Sequence, residues 1–125
     1  MNSDSEHSKS VILFASVIIP ELEGNNSLKE NFLINYWKLF SDVDKESQKK
    51  IRLLVSVISF LSLVYNLSSF SALSYAKRQA YINKLFHFPV KKLVGGLTGL
   101  RALSMISYYN IEEVMSEINY DGPIK

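Results

Sequence analysis

The chain has 125 residues, enough for one domain with a modest core. With 47% hydrophobic and 21% charged residues, it reads as globular and not as a disordered tail. A net charge of +2 and the absence of cysteine exclude a strong field for nucleic acid, disulfides and thiolate chemistry.

Residues 1–10 read as a polar tail carrying Asp4, Glu6 and Lys9. Residues 11–125 read as the domain. The run 11–19 is apolar, but the charge ahead of it is wrong for a secretory leader, so no cleaved signal is expected. A short buried helix capped by Ser8 or Ser10 fits this run. Its β-branched residues would also suit a strand, though the rest of the chain offers no strand partner. Pro20 stops it.

After the Gly24-Asn25-Asn26 turn, Ser27 and Glu30 have the spacing of a capping box. Leu28, Phe32, Tyr36, Leu39 and Phe40 then fall on one side of a second helix. Asp42 or Asp44 caps a third, over about 44–67. No charge occurs between Arg52 and Lys77, a gap of 24 residues. That length alone would suit a membrane span. Ser56, Ser59, Ser62 and Asn66, confined to one sector, favour a central apolar core helix covered by the others.

Ser74 is placed to cap a fourth helix running to about Phe86. Its inner face reads as Ala76, Ala80, Tyr81, Ile82 and Leu85, with Lys77, Arg78 and Lys84 outward or at the rim. Pro89 separates it from a fifth helix over about 90–109. There Gly95 and Gly99 share a face, which predicts close approach of another backbone, and Gly96 would mark a bend. Arg101, the lone charge inside that segment, would need a carboxylate or carbonyls if buried. Asn110 to Glu113 resembles a second capping box, opening a sixth short helix to about Asn119. The fold class expected is therefore all-α, a single compact domain of five to six helices.

Candidate chemistry is sparse. His7 and His87 are the only histidines, and they are not spaced as metal ligands. Glu112, Glu113 and Glu117 read as a solvated face on the sixth helix, the first two at its positive end. The basic run Lys45, Lys49, Lys50 and Arg52 reads as a solvated face. No catalytic, cofactor-binding or metal-binding residue is assigned. Tyr108, Tyr109 and Tyr120 bracket the last helix, with Met115 and Ile118 on it. Tyr is favoured at interfaces, so these five residues form the candidate partner-binding site.

Two motifs carry a resemblance. Phe70-Ser71-Ala72-Leu73-Ser74, with Arg78 and Tyr81-Ile82, is similar to the pattern F-S-x-L-S-x-x-x-R-x-x-Y-[LI]. The order Tyr108-Tyr109, Glu113-Val114, then residues 118–123 resembles Y-Y-x-x-x-x-V-W-x-x-I-G-Y-x-G-P. Met115 replaces the usual aromatic, and Asn119 the usual Gly. In this order the motifs resemble the small helical subunit of GMC-type flavin-dependent dehydrogenases (the gluconate dehydrogenase small-subunit type). They also resemble the helical N-terminal extension of long-chain alcohol oxidases. The resemblance implies a non-catalytic accessory subunit without a cofactor of its own, bound to a large flavoprotein that holds FAD. No twin-arginine pair is present. A cytoplasmic location, or the cytoplasmic face of the membrane, is therefore expected. The alternative is a small membrane-associated protein anchored by a helix over 53–76.

Overall fold

A computed structural model describes residues 3–111. It contains α1 (Ser3–Ile18), a 3-10 turn (Pro20–Leu22), α2 (Asn26–Asp42) and α3 (Lys45–Asn66). A second 3-10 turn (Phe70–Ala72), α4 (Tyr75–Phe86) and α5 (Lys91–Tyr109) follow. Among the described residues there is no strand, and the domain is all-α as expected. The sixth helix expected over 110–119 lies outside the described residues, apart from its first two positions.

The first helix starts earlier than the sequence suggested. The segment read as a polar tail is, from Ser3 on, the first half of α1. His7, Val11, Phe14 and Ala15 recur at helical spacing and are buried as one stripe. Through that stripe α1 touches all four other helices and both 3-10 turns. It is the element around which the rest packs.

On α2, buried Leu28, Phe32, Tyr36 and Phe40 recur every four residues and make a single aromatic ridge. The Phe32 and Tyr36 rings are nearly parallel, 6.3 Å apart between centroids, and the Tyr36 and Phe40 rings are 5.9 Å apart. The cap of α2 is Asn25, whose side chain accepts from the Leu28 N–H at 3.0 Å. The Ser27–Glu30 capping box is not used, because the helix already begins at Asn26. Asp44 caps α3 and Ser74 caps α4, as their positions suggested.

The long third helix departs most from expectation. It is not covered on all sides. Its buried residues are Val55, Ile58 and Ser62. Of the Ser/Asn sector, Ser62 turns inward and Ser59 and Asn66 are half-buried, while Ser56 is exposed. Ser62 is fully buried and donates to the Ser68 carbonyl at 2.9 Å, and Ser59 pairs with Ser10 of α1 at 3.2 Å. The opposite, apolar side points out.

Nor does one helix run over 53–76. Leu67 takes the left-handed conformation at φ 56° and ends α3, and the turn at Phe70–Ala72 separates it from α4. The charge-free stretch 53–66 is then about 21 Å long at ~1.5 Å per residue, short of a ~30 Å hydrocarbon core. No helix among the described residues is long and apolar enough to cross a membrane.

Five residues of the first motif pack at the corner between α3 and α4, whereas Ser71, Ala72 and the cap Ser74 are exposed. Phe70, Leu73, Tyr81 and Ile82 are buried. Arg78, expected at the rim, is buried too. Its Nη1 donates to the Leu73 carbonyl at 3.1 Å and its Nη2 to Glu23 Oε1 at 3.2 Å. The Tyr81 hydroxyl donates to the Ile58 carbonyl. Ala76 and Ala80, expected on the inner face, are not among the buried side chains of α4, because that face is rotated toward Arg78 and Leu85.

Candidate functional site

The feature most in need of explanation is the outer side of α3. At about 100° per residue, Leu53, Ser56, Val57, Phe60, Leu63, Val64 and Leu67 share an arc of roughly 120°. Leu53 is 65% exposed, Phe60 62% and Leu67 88%. Leu63 and Val64 are about half exposed. Single exposed apolar side chains are ordinary, but a set this large along one helix of a small domain is not.

This surface continues into a groove of about 880 Å3 between α3 and α5. Leu53, Leu54 and Val57 form one wall, Leu93 and Leu103 contribute to the other, and Lys50 and Lys92 also line it. The glycines of α5 lie along it. Gly95 and Gly99 have nothing within 4 Å of where a Cβ would stand, so the expected close backbone approach is absent at both. Only Gly96 has a near neighbour, the Leu54 side chain at 3.4 Å.

The five residues singled out at the C-terminal end divide. Tyr108 is buried, and Tyr109 is half exposed against it, with ring centroids 5.2 Å apart. Met115, Ile118 and Tyr120 lie outside the described residues. Ile106 is also half exposed. Next to Ile34, another exposed apolar residue, Asn35 donates to the Ser107 carbonyl at 3.1 Å. The end of α5 and the middle of α2 therefore carry a second, smaller apolar patch.

The polar groups are mostly occupied in holding helices together. His7, buried at 6% exposure, is 2.7 Å from the Tyr36 hydroxyl through Nε2 and packs among Tyr36, Trp37 and Phe40. Burial, aided by the nearby Arg52 charge and opposed by Asp4, pulls its pKa down to about 4. His7 is therefore neutral near pH 7, and its Nε2 shares a hydrogen bond with the buried Tyr36 hydroxyl. Burial pushes the Tyr36 phenol above its ordinary range.

Arg52 pairs with Asp4 at 3.0 Å and lies over the Trp37 and Phe40 rings. Trp37 Nε1 donates to Ser8 at 2.8 Å. His87 lies at the end of α4, its Nδ1 2.8 Å from the Asn83 carbonyl. Arg101 is exposed and so requires no buried partner. Among the described residues, no group of three His, Asp or Glu could hold a metal ion. The imidazole of His7 meets a phenol and aromatic rings rather than a nucleophile, so its geometry serves packing.

No family model, curated protein or solved structure matches the chain. Composition hides the α3 surface, because a nearly all-apolar helix implies cover on every side. Spacing does signal it: Leu53, Val57, Phe60, Val64 and Leu67 follow a strict 4-3-4-3 pattern, the period of a helix seam.

Proposed function

We propose that this chain is a non-catalytic accessory subunit that acts by assembly with other proteins. Its partner in this reading is the large FAD-binding subunit of a GMC-type oxidoreductase acting on an alcohol, sugar or sterol. The observation that carries the assembly part is the apolar surface. Large side chains on α3 and at the end of α5 stay in water while serines are buried. Leaving a hydrophobic face uncovered forgoes about 25 cal/mol per Å2, which a lone domain has no reason to do. The flavoprotein part rests on the order of the two motifs, and the cofactor belongs to that partner. Docking is assigned to Tyr109 and to Met115, Ile118 and Tyr120, with Tyr108 as the buried support of Tyr109. Membrane anchoring has less support, since α3 stops at Asn66.

The test is co-expression of the tagged chain with a candidate GMC-type flavoprotein that lacks a helical extension of its own. A yellow complex should co-purify, and the chain alone should be colourless. Tyr120→Ala should weaken capture by about 30-fold, the scale of a hot spot worth ~2 kcal/mol. A chain truncated after Tyr109 should capture less still. A flavoprotein that purifies folded and active without associating would overturn the partner. A flavin band in the isolated chain would overturn the accessory role.

A further inference from the structure

We infer that the outer face of α3 pairs with α3 of a second copy, antiparallel, across a two-fold axis near Ile58 and Ser59. The smaller patch at the end of α5 is thereby left for other partners. The pairing does not depend on the identity of any flavoprotein.

Four observations carry it. The first is register. Leu53, Val57, Phe60, Val64 and Leu67 are separated by four, three, four and three residues. Such a seam packs against another seam of the same period, and the nearest source of one is the same helix. In antiparallel pairing Leu53 meets Val64 of the second copy and Val57 meets Phe60. The same two layers then repeat beyond the axis, so the surface is complementary to itself.

The second is charge. From Leu53 onward α3 carries no charge, while Lys45, Lys49, Lys50 and Arg52 crowd its first turns. Parallel pairing would set the two basic ends side by side. Antiparallel pairing separates them and brings each beside the C-terminal end of the opposite helix, where unpaired carbonyls concentrate negative potential. Leu67 then lies over the aliphatic stem of Lys50 from the second copy.

The third is space and area. Gly95 and Gly99 leave the groove beside Leu53 and Val57 open, so α5 does not block an approaching helix. The outward side chains of α3 present on the order of 500–700 Å2, approaching the ~800 Å2 per partner of a standard interface.

The fourth is Leu67 itself. Among the described residues it is the one non-glycine with positive φ, and it is almost fully exposed. Gly is the usual residue at such a helix end. A strained, solvated leucine at the last position of the seam is accounted for once a second copy covers it.

The test is the mass of the full chain in solution, by sedimentation velocity or light scattering at roughly 50 µM, above the micromolar Kd expected of an interface this size. The parent should have twice the chain mass of 14.2 kDa. Leu53→Glu and Val64→Lys should each weaken association by at least about 30-fold while leaving helical content unchanged. Combined in one chain, they should restore the dimer, because each introduced carboxylate then faces the introduced ammonium of the other copy. A monomeric parent overturns the inference. So does a dimer that ignores both single substitutions, or a double variant that stays monomeric. A monomer whose Phe60→Glu variant loses the flavoprotein assigns this face to that partner instead, and the proposed function survives. Binding of the monomeric parent to anionic phosphatidylserine vesicles would assign the face to a lipid surface and overturn the pairing.

Discussion

Acidification should loosen this fold through one residue. His7 titrates near 6.5 in the unfolded chain and near 4 in the folded one. Between those values the unfolded chain binds a proton that the native state refuses, so stability falls as pH drops through that window and is flat above it. At about 1.4 kcal/mol per pH unit the whole gap is worth roughly 3 kcal/mol, of which about 2 kcal/mol is gone by pH 5. The physical cause lies in the packing. A charged imidazole would sit among Tyr36, Trp37 and Phe40 with the Arg52 charge close by. The assay is urea unfolding at pH 7, 6 and 5 for the parent and for His7→Gln, which keeps an acceptor and does not titrate. His7→Gln is the less stable protein at pH 7, and the difference between the two should shrink by about 2 kcal/mol at pH 5. Equal pH dependence in both proteins would refute the assignment.

Further substitutions test the packing. Gly99→Ala, with open space at its Cβ, should stabilise by about 0.5–1 kcal/mol and raise the Tm by a few degrees. Gly96→Leu should instead cost about 1–3 kcal/mol by driving into Leu54, and a Tm at or above the parent's would contradict this. Arg78→Met removes the donors to Leu73 and Glu23 and should cost about 2 kcal/mol in urea unfolding, with no rescue by Lys, whose single ammonium cannot serve both acceptors. Leu67→Gly should relieve about 1 kcal/mol of left-handed strain in the monomer while weakening self-association, read by thermal melts and sedimentation.

Much of the fold is legible because its signals are local. Pro20, Asp44, Ser74 and Pro89 act within a turn of themselves, so helix boundaries near them can be placed. The aromatic ridge on α2 announces itself by its spacing. Which face points inward is not legible in the same way. Arg78 looks like a rim residue until the Leu73 carbonyl and Glu23 are brought to it. Ser59 and Ser62 mark a polar sector of α3 without saying what meets it, and Ser10 and the Ser68 carbonyl are the partners that do. His7 looks like part of a polar tail because nothing near it in sequence predicts the α2 aromatics that enclose it. A helix with two unequal faces satisfies its periodicity either way round, and tertiary partners decide the choice. Tyr109 is singled out by residue type alone, whereas the exposure of the α3 face requires knowing what remains uncovered.

If this protein works by assembly, its outward apolar side chains are covered when it is assembled. Hydroxyl-radical footprinting measures that directly, by comparing labelling of the protein in its native complex with that of the freshly diluted chain. Phe60, Leu67 and Tyr109 should be labelled in the diluted chain and protected several-fold in the assembly, while exposed Ile34, at the edge of the smaller patch, changes less. Equal labelling of Phe60 and Leu67 in both states would contradict that cover.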